Sequence, residues 1–253
     1  MSNDSASSRQ KSHYEAIHDA YESHYFDEHS MMYREKFILT PLLKGLDLNG
    51  AKIADFACGS GHNSLAILKR FPEARTVGFD ISSAAVSSYR KVVGQPAEEL
   101  DLTTGPSGDH SFDAAIIVGG LHHCISNLPS ALDSIASYLK PNSPLLIFEP
   151  SSDFVLQGLR HYWYKKDRYF DSETEEALSH QKLAVMGQDY FVVDKVEHLG
   201  GAGYFLVLNS LIFRIPHGVK SAIARPLMFL DGIYNLLPGS AVFPYFIARW
   251  RKR

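Results

Sequence analysis

Two glycines one residue apart, preceded by an acid, are the residues in this chain best suited to binding chemistry. Asp55 lies near the end of an apolar run, Gly59 and Gly61 follow it, and helical spacing resumes at residue 62. Glycine permits positive φ and lets a ligand approach bare backbone, and the first N–H groups of the following helix then face that ligand. The segment therefore predicts a nucleotide-type pocket between a strand and a helix.

Two further residues bear on which nucleotide would bind. A dinucleotide-binding loop favours Gly or Ala three residues after its second glycine, where this chain has Ser64. The Asp55 carboxylate would repel a phosphate and attract an ammonium group. Asp80 ends the next apolar run, 19 residues beyond Gly61, about the distance at which a βαβ unit places an acid on ribose hydroxyls. The loop favours an ammonium-bearing ligand, while the Asp80 spacing fits either kind of cofactor.

These motifs resemble those of the class I S-adenosylmethionine-dependent methyltransferases of the small-molecule type. Asp55, Gly59 and Gly61 match the first motif of that family, Asp80 matches the acid of its second strand, and residues 111–123 look like its fourth strand. The resemblance implies S-adenosyl-L-methionine as cofactor. It implies these cofactor-binding residues: Asp55, Ala57, Gly59, Gly61, Asp80, Ile81, Asp101, Gly119 and Tyr21.

The resemblance also assigns roles within that set. The loop after Asp55 would hold the amino-acid end of the cofactor, Asp80 both ribose hydroxyls, Ile81 the adenine face and Asp101 the adenine amino group. Each residue has a structural alternative, because Gly-x-Gly is often only a turn and an acid at a strand end is often a helix N-cap. Cys58 is interpreted as a small buried turn residue.

The expected chemistry follows from the cofactor. A sulfonium methyl group is already activated, so the main task is to align the nucleophile, carbon and sulfur. A hydroxyl acceptor must also lose a proton, and His122 or His123 after the fourth strand is placed to take it. One of the two is predicted to face the pocket, because neighbours on an extended chain point oppositely. His161 and Glu149 are second candidates, and no metal is expected because its acidic ligands are not recognisable.

Alternating helical and strand patterns predict an α/β fold. The resemblance implies a doubly wound, seven-stranded, mostly parallel sheet with an antiparallel last strand, a Rossmann-like methyltransferase fold with N-terminal helices. Residues 192–198 and 204–213 are predicted as its last two strands. The predicted divisions are a disordered tail at 1–12, a methyltransferase domain at 13–213 with its core at 50–150 and a lid insertion at 150–187, and a C-terminal helical extension at 214–253.

The N-terminal helices carry tyrosines that could reach the cofactor. Helical patterns begin at His13 and at Met31, and Tyr14, Tyr21 and Tyr33 are candidates for its carboxylate. The alternative is that these rings pack the helices onto the sheet.

Two segments exceed the minimal fold and are predicted to form an apolar lid over the acceptor. One is the aromatic and basic run of residues 159–170, which could equally be a packed cap, and the other is the apolar tail from Ile215. The basic end, residues 249–253, is either solvated or in weak contact with anionic lipid.

Whole-chain composition agrees with one globular enzyme. The 253 residues are 45% hydrophobic and 21% charged, with a formal net charge of −3 and two cysteines. No nucleic-acid partner is expected, a cytoplasmic location is predicted, and the oligomeric state stays open. The predicted function is methylation of a small-molecule hydroxyl. Alternatives are a sugar or lipid-linked acceptor, methylation of nitrogen or carbon, and cofactor binding without methyl transfer.

Overall fold

Seven strands of one sheet organise the described part of the chain. A computed structural model describes residues 24–164 and 175–253. The sheet order is β3-β2-β1-β4-β5-β7-β6. The strands are β1 (Lys52–Phe56), β2 (Arg75–Asp80), β3 (Ala97–Glu99), β4 (Ala114–Val118), β5 (Pro144–Pro150), β6 (Phe191–Leu199) and β7 (Tyr245–Lys252).

Helices connect these strands. The N-terminal helix runs without a break from α1 through a π-helical turn, Glu35–Leu39, into α2. The helices are α1 (Glu28–Arg34), α2 (Thr40–Leu43), α3 (His62–Arg70), α4 (Ser83–Val93), α5 (Leu128–Tyr138), α6 (Gln157–Tyr164), α7 (His180–Met186) and α8 (His217–Tyr234).

Both faces of the sheet are covered, as the sequence predicted for a doubly wound fold. Strands β1 to β5 pair in parallel, while β7 is antiparallel to both β5 and β6. Ile116 and Leu146 join one hydrophobic cluster, whereas their neighbours Ile117 and Ile147 join the other. Because side chains alternate across a strand, this division places a core on each face. The predicted seven-stranded, mostly parallel sheet is confirmed.

The C-terminal tail corrects the prediction of a helical extension at 214–253. Its first part is helix α8, but Tyr245–Lys252 is a strand inserted between β5 and β6. The Trp250 side chain is fully buried, Arg249 donates to the carbonyls of Leu42 and Lys44, and Arg251 pairs with Asp194. The basic end is therefore held in the sheet by its backbone, while the side chains of Arg251 and Arg253 are exposed.

The prediction of a strand at 204–213 is wrong. Residues Tyr204–Leu208 form a π-helical turn, and the segment continues in turns up to Arg214. Its Val207 and Leu208 are buried in the same cluster as α1. A short apolar run suits a buried helix as well as a buried strand, and periodicity alone does not separate the two.

Buried polar side chains tie α8 to the rest of the chain. The Lys220 ammonium is fully buried and donates to the His24 carbonyl, Asp27, Ser30 and Ser210. Burial lowers its pKa, although Asp27 opposes the shift. These bonds hold α8 against the beginning of α1.

A second tie lies further along α8. Asp231 accepts hydrogen bonds from the Gly201 and Gly203 N–H groups and from the Tyr33 hydroxyl. Tyr33 thus packs α1 onto α8, which is the structural alternative for this residue. Tyr14 and Tyr21 lie outside the described residues, as does the tail predicted at 1–12.

The predicted lid insertion contains helices α6 and α7, and residues 165–174 lie outside the described ranges. Arg160 of α6 is buried and donates to the carbonyls of Ser151 and Pro244. Those carbonyls follow β5 and precede β7, so α6 is fixed to the end of the sheet. In residues 24–164 and 175–253, no helix combines the length and apolar character needed to cross a membrane.

Candidate active site

The loop after β1 adopts the left-handed conformations that its glycines allow. Backbone φ is 51° at Ala57, 52° at Gly59 and 84° at Gly61, and helix α3 begins directly after Gly61. A Cβ atom on Gly61 would lie 2.2 Å from a Val93 methyl and 2.6 Å from the Tyr89 ring. Gly61 is therefore needed for close packing of the loop on α4, in addition to its positive φ. This contact does not test the expectation that a ligand lies against the backbone of Gly61.

Asp55 is held inside the fold by a chain of hydroxyl groups. Ser64 donates to Asp55 Oδ2 across 2.6 Å, and the Tyr89 hydroxyl lies 2.9 Å from Ser64 Oγ and 2.8 Å from Thr76 Oγ1. Burial raises the pKa of Asp55 to about 7, with Asp80 adding to the rise and the Ser64 bond opposing it. Asp55 can thus change its charge near neutral pH, and it links the glycine loop to α3 and α4.

Asp80 connects the ends of β1 and β2. Its Oδ2 accepts from the Gly59 N–H at 2.9 Å and its Oδ1 from the Ser82 N–H at 2.9 Å. The side chain is half-buried, and Ile81 beside it is half-buried as well. The predicted ribose-binding acid and adenine-packing residue therefore lie at the carboxyl end of β2, next to the glycine loop.

Asp101 has a different setting from the one predicted. Strand β3 ends at Glu99, and Asp101 is the N-cap of a 3₁₀ turn, Leu102–Thr104. Its Oδ1 accepts from the N–H and the hydroxyl of Thr103, at 2.9 and 2.7 Å. This capping role is the structural alternative for an acid at a strand end, and contact with the adenine stays a prediction.

Glu149, at the end of β5, organises the turn after β4. The fully buried carboxylate accepts from the N–H groups of Gly120, Leu121 and His122 at 2.9, 2.6 and 3.3 Å. Its Oε2 also lies 2.7 Å from His122 Nδ1. Because the carboxylate accepts all of these bonds, His122 Nδ1 is the donor and Nε2 keeps its lone pair. Glu149 thus orients the histidine through hydrogen bonds, while its role as a second candidate for the base stays a prediction.

The two histidines lie together, so the prediction that they point oppositely is wrong. Leu121–His123 is a 3₁₀ turn, which lacks the alternation of an extended chain, and the rings of His122 and His123 are 4.0 Å apart. Burial disfavours a charged His122, but the Glu149 carboxylate outweighs it and raises the pKa above its ordinary value.

A carboxylate that is distant in sequence lies beside the His122 and His123 pair. Glu175 Oε1 lies 3.5 Å from His123 Nδ1, and the Glu176 N–H donates to the His122 carbonyl. One ligand atom from each of His122, His123 and Glu175 lies within 4.8 Å of the others, a grouping that can hold a metal ion. Sequence reasoning missed Glu175, because only the path of the chain after β5 brings it to the histidines.

The remaining predicted residues differ in where they lie. Ala57 is exposed in the loop after β1 and lies beside Gly120, since a Cβ atom on Gly120 would lie 2.6 Å from the Ala57 Cβ. Gly119, with φ of 69°, stands at the same junction of β1 and β4. His161 is exposed on α6, while Tyr21 lies outside the described residues. Cys58 is buried against Gly78, and burial raises the pKa of its thiol, as its interpretation as an inert turn residue requires.

A stack of side chains over the start of α3 was missed by sequence reasoning. The Arg34 guanidinium lies 4.8 Å from the Phe26 ring, which stacks on His62 at 4.5 Å. Arg34 is buried and its Nη1 lies 3.5 Å from Asn63 Oδ1. The sequence signal for this stack is a basic residue, Arg34, within the helix predicted to begin at Met31.

Together, the sheet order, the glycine loop and Asp80 define a class I methyltransferase fold. Residues 53–142 match the sequence pattern of a family described as a methyltransferase domain. Over these residues the chain is similar to the class I S-adenosylmethionine-dependent methyltransferases, a class of enzymes whose cofactor is S-adenosyl-L-methionine.

Individual relatives match only part of the chain. A ribosomal protein L11 methyltransferase of Tolumonas auensis is 30% identical over 139 residues, 49% of this chain and 47% of that protein. A trans-aconitate 2-methyltransferase of Methylobacterium nodulans is 27% identical over 106 residues, 40% of this chain and 39% of that protein. This chain thus spans less than half the length of these relatives.

Solved structures extend the likeness to nearly the whole chain, as one example shows. It is a Thermotoga maritima protein described as a SAM-dependent methyltransferase, possible histamine N-methyltransferase, with a TM-score of 0.64 and 16% identity. The alignment covers 96% of this chain and 100% of that one. This likeness shows the same fold beyond residues 53–142.

Proposed function

We propose that this protein transfers the methyl group of S-adenosyl-L-methionine to a hydroxyl oxygen of a small-molecule acceptor. The observation that carries the proposal is that the candidate residues lie at the same edge of the sheet. The glycine loop after β1, Asp80 after β2 and the His122–Glu149 pair after β4 and β5 all lie at the carboxyl ends of the parallel strands. Open α/β sheets bind their ligands at this edge.

The cofactor would lie across the ends of β1 and β2. Asp80 would accept from its ribose hydroxyls while it holds the Gly59 N–H. Arg34 is a cation at the uncapped start of α3, so it suits the carboxylate of the methionine end. Asp55 behind the loop would favour the ammonium group, because a nearby cation favours the ionised form of a buried carboxyl.

His122 is the proposed general base. Its Nε2 would take the proton of the acceptor hydroxyl as the oxygen attacks the methyl carbon and the carbon–sulfur bond breaks. The products are the methyl ether, S-adenosylhomocysteine and an imidazolium that the Glu149 carboxylate stabilises at 2.7 Å. His161 is exposed on α6, so the geometry favours His122 over it.

The relatives support methyl transfer without selecting an acceptor. One relative is named for a ribosomal protein as its substrate and another for trans-aconitate. Two features support the small-molecule proposal: the net charge of −3 and a partly exposed histidine pair close to the loop.

Cofactor binding without methyl transfer is the alternative. The two are separated by incubating the full chain with methyl-labelled S-adenosylmethionine and an extract of small metabolites, beside the His122→Gln variant. We expect label in an acceptor fraction with the wild type, and a much lower rate with the variant. Binding of the cofactor with no acceptor labelled by either protein would favour the alternative.

A further inference from the structure

The exposed apolar side chains of the described residues are concentrated in two segments. Ten of the seventeen large apolar residues that are exposed within 24–164 and 175–253 lie in residues 154–162 and 214–244. We call them the apolar rim: Val155, Leu156, Leu159, Tyr162, Val219, Phe229, Leu230, Ile233, Leu236 and Leu237. Phe229 is 67% exposed and Leu236 is 81% exposed, which is unusual for side chains of this size.

The two segments are joined at the edge that carries the candidate active site. The Val155 N–H donates to the Ala241 carbonyl at 2.6 Å, and Arg160 donates to the Pro244 carbonyl at 2.7 Å. Tyr245, next in the chain, pairs with Pro150 at the end of β5, one residue after Glu149. The rim therefore borders the end of the sheet where the acceptor is proposed to react.

Helix α8 is apolar on both its inner and its outer side. The inner side buries Ala224 and Met228 together with the bonded Lys220 and Asp231. The outer side carries rim residues, including Phe229 and Ile233. A surface helix normally presents polar residues to water. An apolar outer side therefore indicates a surface that is covered and removed from water when the protein functions.

The charges of the two segments indicate which kind of surface the apolar rim would bind. Residues 154–162 contain no acid, and Asp231, the acid within 214–244, is buried. Arg214 and Arg225 are exposed beside the rim, and Lys36 of the π-helical turn after α1 donates to the Met228 carbonyl. Large apolar side chains beside cations, with no exposed acid in either segment, complement an anionic lipid surface.

We propose that the apolar rim docks this protein on an anionic lipid bilayer and that the acceptor is an amphipathic, lipid-linked molecule presented there. This proposal rests on the proposed function and narrows its substrate class. Phe229 and Leu236 enter the headgroup region, and Arg225 contacts lipid phosphates. The end of the sheet then faces the membrane, so that the polar headgroup of a lipid-linked acceptor can reach the histidine pair.

The test uses the full chain and sedimentation with vesicles. Vesicles of phosphatidylcholine alone are compared with vesicles that also contain phosphatidylglycerol. We expect the wild type to sediment with the anionic vesicles, and Phe229→Ser combined with Leu236→Ser to weaken binding by about tenfold or more, since each large side chain loses its burial. Arg225→Glu should weaken binding to the anionic vesicles only.

A matched control lies on another surface. Val192 and Val193 are exposed on the edge strand β6, and serine at both positions should leave vesicle binding unchanged. Each variant is also tested for S-adenosylhomocysteine binding by calorimetry, which should equal that of the wild type. Failure of the proposed function would show as lost cofactor binding or absent methyl transfer in the wild type, whatever happens with vesicles.

Three results would overturn the docking proposal. The first is no sedimentation of the wild type with anionic vesicles. The second is equal sedimentation of the rim variant and the β6 control. The third is a wild-type dimer in light scattering that the rim substitutions convert to monomer, because a second copy would then cover the rim.

Discussion

At the scale of single residues, three acids hold the candidate site together by accepting backbone and hydroxyl hydrogen bonds. Glu149 fixes the turn after β4, Asp80 fixes Gly59, and Asp55 fixes the start of α3 through Ser64. Each acid therefore has a structural role as well as its proposed role in binding or catalysis. Experiments on these residues must measure folding and ligand binding separately.

Replacing Asp80 by Ala should weaken binding of S-adenosylhomocysteine by roughly 5- to 150-fold. The variant loses two proposed ribose hydrogen bonds, each worth about 0.5 to 1.5 kcal/mol. Calorimetry measures the affinity, and Glu98→Ala, an exposed acid on β3, is the control. Unchanged affinity in Asp80→Ala would contradict the role assigned to this residue.

Asp55 should make stability depend on pH near neutrality. The folded state holds its proton up to a pKa of about 7, against 3.8 for the ordinary carboxyl, so the stabilisation is complete below the ordinary value and is lost as pH rises through about 7. Relative to Asp55→Asn, the free energy of unfolding should fall by about 2 kcal/mol between pH 5 and 7 and then level off.

Urea unfolding at a series of pH values checks this difference, with Glu98→Gln as an exposed control. Parallel pH curves for the wild type and Asp55→Asn would contradict the shifted pKa. If the cofactor ammonium lies beside Asp55, cofactor binding near pH 6.5 should also release a proton in the wild type and not in Asp55→Asn. Calorimetry in buffers of different ionisation enthalpy measures that release.

His122→Gln should keep cofactor affinity and lose turnover by roughly 10²- to 10⁴-fold, the contribution of a general base. The base must be neutral, and Glu149 raises its pKa in spite of burial, so the rising limb of the wild-type rate should lie above pH 6.5. Steady-state kinetics against pH measures both effects.

The comparison variant for this experiment is His161→Gln, which should stay active. Loss of turnover in His161→Gln but not in His122→Gln would transfer the role to α6. Addition of a chelator should leave turnover unchanged, because the proposed proton transfer to His122 uses no metal ion. Inhibition by a chelator would instead assign a cation to His122, His123 and Glu175.

At the scale of elements, β7 decides how the C-terminal region behaves. It pairs with β5 on one side and β6 on the other and buries Trp250. The tail from Ile215 is therefore not a detachable lid as a whole. Movement of residues 155–170 and of the tail before β7 on acceptor binding stays a prediction.

A chain that ends at Phe213 should fail to fold, since β5 and β6 would both lose the backbone partners that β7 supplies. Circular dichroism and size-exclusion chromatography check this expectation against a control that ends at Lys252. A folded, cofactor-binding chain ending at Phe213 would show that β7 is dispensable.

At the scale of the whole molecule, the proposed cofactor site lies at the ends of strands that contribute to both hydrophobic clusters, so ligand binding there should couple to global stability. Both clusters draw residues from β1, β4 and β5, whose carboxyl ends carry the site. A ligand that binds only the folded chain stabilises it by mass action, by about 2.7 kcal/mol at one hundred times its dissociation constant.

S-adenosylhomocysteine at that concentration should therefore raise the melting temperature by about 5 to 10 °C in a domain of this size. NAD should leave the melting temperature unchanged, because Asp55 precedes the loop and Ser64 stands where a dinucleotide site favours Gly or Ala. Thermal unfolding with each ligand is the measurement. An equal rise with NAD would contradict the cofactor assignment.

The sequence by itself determined the parts of this protein that depend on neighbours in the chain. Asp55, Gly59, Gly61 and Asp80 lie within one βαβ unit, so their spacing was enough to predict the loop and the two strand ends. Helix α5 was likewise predictable from its apolar spacing and from Pro141, which follows its last turn.

Only the tertiary structure decided the contacts between residues that are distant in sequence. Glu175 reaches the histidines, Arg34 reaches α3, and Tyr245–Lys252 enters the sheet because each is brought there by the packing of whole elements. The same packing leaves the outer side of α8 uncovered, which no periodicity revealed. The sequence of an apolar run does not specify which element it will pack against. Whether such a run forms a strand or a helix, and whether its side chains enter the core or stay exposed, therefore depends on the surfaces that the other elements cover.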